Sequence, residues 1–145
     1  LRGRSCLIFP SNLRVKVPAF PPYRYPDLTV LCGKPVYESI GGVETLTNPT
    51  LIVEVLSPST EAFDRGDKFT YYKSIPSFKE YLLIAQHRPH VTQYVKQSGG
   101  SWSYCEVNAL TDTLQLPTLD CVLSLSEIYL DVEFEPIKGP PSIEQ

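Results

Sequence analysis

Glu54 sits in Thr50-Leu51-Ile52-Val53-Glu54-Val55-Leu56, a run otherwise made of apolar and β-branched residues, and no other acid in the chain reads as so oddly placed. A carboxylate in such a run is costly to desolvate, and burial raises its pKa unless a cation compensates. Buried acids of this kind concentrate at functional sites. The structural alternative is a Glu54 paired with a buried Arg or Lys, or turned to a sheet's wet face. Asp27 follows Pro26 at the head of a second apolar run, and alone it reads as a strand-start or turn residue. If the two runs are neighbours in one sheet, the acids converge at its edge. Two carboxylates with open positions for water and phosphate suit a hard divalent cation. A lysine completes a hydrolytic site by orienting water or stabilising charge on phosphorus. The residue two after Glu54 is Leu56, so the candidate is Lys68, within Asp64-Arg65-Gly66-Asp67-Lys68-Phe69. Its plain alternative is a solvated helix lysine paired with Asp64 four residues earlier.

The elements that must position these groups follow from periodicity. Residues 50–56 read as a central strand buried on both faces. Strands are predicted at 5–9, 13–17, 27–32 and 79–84, and near 113–116. In 13–17 apolar and basic residues alternate, giving one buried and one wet face. Residues 90–96 and 101–107 form a hairpin around Ser98-Gly99-Gly100. Residues 33–48, with Gly33, Pro35, Gly41, Gly42 and Asn48, read as a long mobile loop. Ser59 or Thr60 caps a helix that runs to about Ser74, with Ala62, Phe69 and Tyr72 on one face and Gly66 allowing close approach to a sheet. Ser124-Leu125-Ser126-Glu127 matches a capping box for a short helix over 125–130. The fold class is α/β (α+β), one domain over 1–134, with a loose Pro-rich tail over 135–145.

Composition excludes several classes. Frequent proline (14 of 145 residues) and abundant Tyr, Val and Thr argue against a helical bundle. No apolar run approaches the ~20 residues of a membrane span. A net charge of −3 argues against gripping nucleic acid by bulk charge alone. Residues 1–26 nevertheless hold Arg2, Arg4, Arg14, Lys16 and Arg24 and no acid, which reads either as ordinary solvated surface or as a basic face that meets phosphates. The cysteines Cys6, Cys32, Cys105 and Cys121 lack zinc-ligand spacing. They read as mostly reduced, buried thiols of a cytoplasmic protein, with a disulfide between two of them as the alternative. His87 and His90 flank Pro89 in a turn and read as no metal pair. Ser57 and Ser59 lie in no G-x-S-x-G elbow and read as turn and cap residues. Of Trp102 and Tyr104, one is expected in the core and the other on the surface.

Three stretches carry a family resemblance. Tyr25-Pro26-Asp27-Leu28-Thr29-Val30, then 48–69 from Asn48-Pro49 through Glu54-Val55-Leu56-Ser57-Pro58-Ser59-Thr60 to Lys68-Phe69, and Ile75-Pro76-Ser77-Phe78-Lys79-Glu80-Tyr81-Leu82-Leu83 resemble the Uma-two-type restriction endonucleases. Leu116-Pro117 and Glu127-Ile128-Tyr129 agree. That family belongs to the PD-(D/E)XK nuclease superfamily. The resemblance implies a mixed central sheet flanked by helices, here with an antiparallel hairpin extension. It implies Asp27 and Glu54 as the motif's acids and metal ligands, and a motif lysine migrated to Lys68. It further implies Mg²⁺-dependent (or Mn²⁺-dependent) cleavage of DNA phosphodiester bonds, usually by a homodimer. Relatives begin with a helix-containing segment, and this chain is expected to open after it, at Leu1-Arg2-Gly3-Arg4.

The leading expectation is therefore a metal-dependent endonuclease in which Arg14, Lys16 and Arg24 track the DNA backbone. One rival is a nuclease fold that binds DNA or protein without catalysis. Another is a plain β-rich interaction domain, which would leave Glu54 salt-bridged in the core. Convergence of Asp27, Glu54 and Lys68 discriminates among them.

Overall fold

The strand carrying Glu54 is the organising element. In the computed structural model, which describes residues 6–19 and 22–134, it is β7 (Leu51–Leu56), inside a six-stranded sheet. The strands run in the order β1 (Cys6–Phe9), β4 (Leu28–Cys32), β7, β8 (Glu80–Ala85), β9 (Val91–Lys96), β10 (Trp102–Val107). β7 and β8 pair in parallel, and every other neighbouring pair is antiparallel. The parallel step requires a crossover. Two short helices supply it, α1 (Glu61–Arg65) and α2 (Asp67–Tyr72).

Side-chain alternation divides the core in two. On the helix face, Leu31, Ile52, Leu56, Tyr81 and Leu83 pack with Phe69 and Tyr72 of α2 and with Phe78. On the other face, Val30, Leu51, Val53, Leu82 and Val91 meet β11 (Thr113–Leu116) and α3 (Leu125–Ile128). β12 (Cys121–Ser124) pairs with β11. A second sheet has the order β3 (Tyr23–Arg24), β2 (Val15–Lys16), β6 (Val43–Leu46), β5 (Tyr37–Ile40). Among the described residues no helix is long and apolar enough to cross a membrane.

Several expectations change. Residues 33–48 hold the β5–β6 hairpin rather than a long loop. Gly41 and Gly42 take φ of 59° and 80°, the paired positive values of a tight two-residue hairpin turn. The single helix over 60–74 is broken at Gly66, whose φ/ψ of −103°/−97° is not helical. Ala62 is exposed, while Phe69 and Tyr72 are buried. Neither expected N-cap bond forms: Thr60 gives no capping bond, and Ser124 bonds Ser126 instead. β12 was not anticipated, and the 13–17 strand shrinks to two residues. Trp102 and Tyr104, two apart on one strand, share a face: Trp102 packs on Phe69 and Phe78, and Tyr104 lies further out against Tyr94. Glu80 is a second fully buried strand acid, held by Gln93 Nε2 at 2.8 Å and Thr118 Oγ1 at 2.6 Å. The Pro-rich tail over 135–145 and Arg2 and Arg4 lie outside the described residues.

The reading of the cysteines as reduced and buried is also corrected. Cys6 and Cys32 are disulfide-bonded, Cys105 is exposed and Cys121 half-buried. The antiparallel register sets Cys6 directly opposite Cys32, with Cα atoms 4.1 Å apart. That proximity comes from pairing, which cysteine spacing does not reveal.

Two predictions follow from this packing. Closing the 26-residue separation between Cys6 and Cys32 stabilises the chain by about 3 kcal/mol. Denaturant unfolding of wild type and Cys32→Ser, with and without reductant, checks this. Wild type should lose that stability on reduction, and Cys32→Ser should show it already lost. The second prediction concerns His90, which is buried with Arg88 Nη1 at 3.2 Å from its Nδ1. Burial first, then the Arg88 charge, holds the imidazolium below its ordinary range against the pull of Glu106. The folded state thus binds this proton less readily than the unfolded chain. The stability from neutral His90 is full above the ordinary imidazole value of about 6.5 and is lost as pH falls through the depressed one. Stability curves should therefore drop below that pH in wild type, and His90→Gln should flatten the drop.

Candidate active site

Asp27 immediately precedes β4, whose Leu28 pairs with Val53 of β7. Continuing that antiparallel register by one residue sets Asp27 opposite Glu54. The two residues clasp each other through backbone and side chain. Asp27 N–H donates to Glu54 Oε1 at 3.2 Å, and Val55 N–H donates to Asp27 Oδ2 at 2.7 Å. Asp27 is half-buried, and Glu54 is only 3% exposed.

The helices bring the remaining groups down on Glu54. Asp64, Lys68 and Tyr72 are spaced four apart, so they form one stripe despite the break at Gly66. Lys68 Nζ lies 3.3 Å from Glu54 Oε2 and 2.6 Å from Asp64 Oδ1, the latter an ion pair rather than a directed hydrogen bond. Tyr72 O–H donates to Glu54 Oε2 at 2.7 Å. Thr60 Oγ1 donates to Asp64 Oδ2 at 3.2 Å, and Ser57 Oγ is 2.8 Å from Thr60 Oγ1. Desolvation raises the Glu54 pKa above the ordinary carboxylate range, and the Asp27 charge adds to it. Lys68, the Tyr72 hydroxyl and the Asp27 N–H oppose that rise without cancelling it. The site therefore favours further positive charge.

Among the described residues no three His, Cys, Asp or Glu side chains gather as a metal cluster. Asp27 and Glu54 are a pair of oxygen donors. That donor chemistry fits a hard divalent cation that keeps several of its waters, as Mg²⁺ does.

The three expected DNA-contacting residues are placed differently from one another. Arg14 is buried: its Nη2 donates to Ile40 O at 2.7 Å and its guanidinium lies 3.7 Å over the Tyr23 ring. Lys16 pairs with Glu38 at 2.8 Å. Arg24 lies 5.0 Å over the Phe63 ring, which Lys68 Nζ approaches to 5.4 Å. His87 is exposed and His90 is bonded inside the fold, so the two do not converge. Asp64 and Tyr72 were missed as site residues. Their signal was the four-residue spacing through Lys68, together with a Tyr where Phe would fill the core equally well.

A cavity of about 690 Å³ lies on the opposite sheet face and has no charged side chain in its lining. The polar chemistry is on the helix face instead.

"Uncharacterized protein slr1290" of Synechocystis is 34% identical over 134 residues, covering 92% of this chain and 68% of that protein. "Uncharacterized protein sll1609" of the same organism is 38% identical over 104 residues, 72% of this chain. The chain spans only 58% of the length of that second relative. A solved structure from Anabaena variabilis, described as "a putative nuclease belonging to DUF820", superposes with a TM-score of 0.62 at 17% identity, covering 87% of this chain and 69% of that one. Its likeness shows a shared fold. The family model described as "Putative restriction endonuclease" matches residues 1–132, which take in every group of the site above, and the chain therefore belongs to the Uma2 family.

Proposed function

We propose that this chain is a divalent-metal-dependent endonuclease that hydrolyses DNA phosphodiester bonds. The observation that carries the reading is the convergence of two acids and a lysine at one end of β4 and β7. The ion pair expected of a purely structural Glu54 is present too, in Lys68. A structural role accounts for the Val55 N–H that Asp27 accepts, but not for a second acid set beside a Glu54 whose pKa is still raised. The nuclease reading uses both.

Asp27 and Glu54 would hold Mg²⁺, with Mn²⁺ as a substitute. When bound, the cation supplies Lewis acidity toward a phosphoryl oxygen and makes water a better nucleophile at neutral pH. Lys68 places a positive charge where negative charge builds on phosphorus, and Asp64 holds it there. In the overall step, water oxygen bonds to phosphorus as the bridging P–O bond breaks, and the leaving oxygen takes a proton. Arg24, stacked on Phe63 and Tyr71, offers a guanidinium to the DNA backbone beside the lysine. Arg14 and Lys16 would join only after giving up Ile40 O and Glu38. Cutting both strands of a duplex calls for two such sites, and a homodimer supplies them.

Relaxation of supercoiled plasmid tests the proposal. Wild type should cut with Mg²⁺ or Mn²⁺ and not with EDTA. Glu54→Ala, Asp27→Asn and Lys68→Met should each slow cutting by at least about 100-fold, the scale for losing one preorganised group. Circular dichroism on the same samples confirms that the variants fold. Cutting in EDTA, or an undiminished Glu54→Ala, ends the proposal.

A further inference from the structure

We infer that Tyr72 is a positioning residue that fixes which Glu54 oxygen is offered to the divalent cation. The inference rests on the metal-site reading above and adds to it a residue that never touches the ion. The two Glu54 oxygens have different surroundings. Oε2 is met by Tyr72 O–H at 2.7 Å and Lys68 Nζ at 3.3 Å. Among the described residues Oε1 accepts only the longer, 3.2 Å bond from Asp27 N–H, on the side of the second acid. Two cationic or hydroxyl donors thus hold one oxygen back, and the other faces Asp27.

The division depends on the hydroxyl. Lys68 is shared, standing closer to Asp64 at 2.6 Å than to Glu54 at 3.3 Å. It cannot hold the Glu54 carboxylate plane by itself. Tyr72 can, because its ring is 1% exposed and wedged against Phe78 and Tyr81 with centroids 5.9 Å and 5.8 Å away. A phenylalanine would fill the same space and leave the carboxylate free to turn both oxygens toward Lys68. Groups that orient a metal ligand in this way are worth about 10–100-fold in metal affinity.

The test is calorimetric titration of Mn²⁺ into the metal-free chain, for wild type and for Tyr72→Phe, Tyr81→Phe and Glu54→Gln. Tyr81 is the control, because its buried hydroxyl donates to the Asp64 backbone carbonyl at 2.8 Å and not to Glu54. The expected result is that Tyr72→Phe binds Mn²⁺ about 10–100-fold more weakly, that Tyr81→Phe binds as wild type does, and that Glu54→Gln loses binding. In plasmid cutting, the Mg²⁺ concentration at half-maximal rate should rise by the same factor in Tyr72→Phe, while the rate at saturating Mg²⁺ recovers. A merely structural Tyr72 would lower the unfolding temperature and leave Mn²⁺ affinity in place. Wild-type affinity in Tyr72→Phe, with binding lost in Glu54→Gln, overturns the role of Tyr72 and leaves the metal site standing. Absence of Mn²⁺ binding by wild type, or undiminished binding by Glu54→Gln, overturns both.

Discussion

The interaction on which the rest depends is the burial of the Glu54 carboxylate beneath α1 and α2. An acid 3% exposed in a central strand opposes folding unless its oxygens are met by donors. Three groups meet them, one from the head of β4 and two from α2: Asp27 N–H, and Lys68 and Tyr72. Each of these has a support of its own. Asp64, held by Thr60, steadies Lys68; Phe78 and Tyr81 clamp Tyr72; Val55 N–H fixes Asp27. Even so, the balance leaves the Glu54 pKa raised. A fold that sustains this arrangement keeps a place where more positive charge is welcome.

The parts of this that could be read from sequence were those written in residue type and short spacing. Glu54 stood out because its neighbours are Val53 and Val55, and β7 stood out because its run is unbroken. Asp27 was legible as the start of the next apolar run, which indeed lies beside β7. The lysine was harder, since Leu56 occupies the strand position and the candidate had to be sought on the following helix. Tyr72 was hidden because a core-facing tyrosine and phenylalanine give the same periodicity. Glu80 was overlooked because it opens its strand, where a polar residue looks unremarkable, yet Gln93 and Thr118 close over it from distant segments.

Elsewhere the failures share a cause, which is non-local pairing. Cys6 and Cys32 meet through a strand register that spacing does not encode. Arg14 looked like a wet-face cation by alternation in 13–17, but β5 and Tyr23 cover that face and take its guanidinium. In 33–48 the error was local. Gly and Pro were counted as loop formers, although Gly41-Gly42 between alternating residues is a hairpin signal.

The same period of two that hides or reveals these residues also decides where chemistry can occur. Asp27 and Glu54 belong to the helix side of the sheet, where the cations are. Their sequence neighbours Leu28 and Val55 point into the uncharged cavity on the other side. A slip of one residue in the β4–β7 register, with β7 held in place by β8, would turn β4 over, setting Asp27 among Val, Leu and Ile on the cavity side while Glu54 stays beside Lys68. That slipped state has a buried acid without a partner and separates Asp27 from Glu54. An acid that serves the proposed chemistry is thus also what forbids the wrong pairing. Neutralising Asp27 would remove part of that penalty along with one of the cation's proposed ligands, so the same carboxylate links the specificity of the fold to the site it builds.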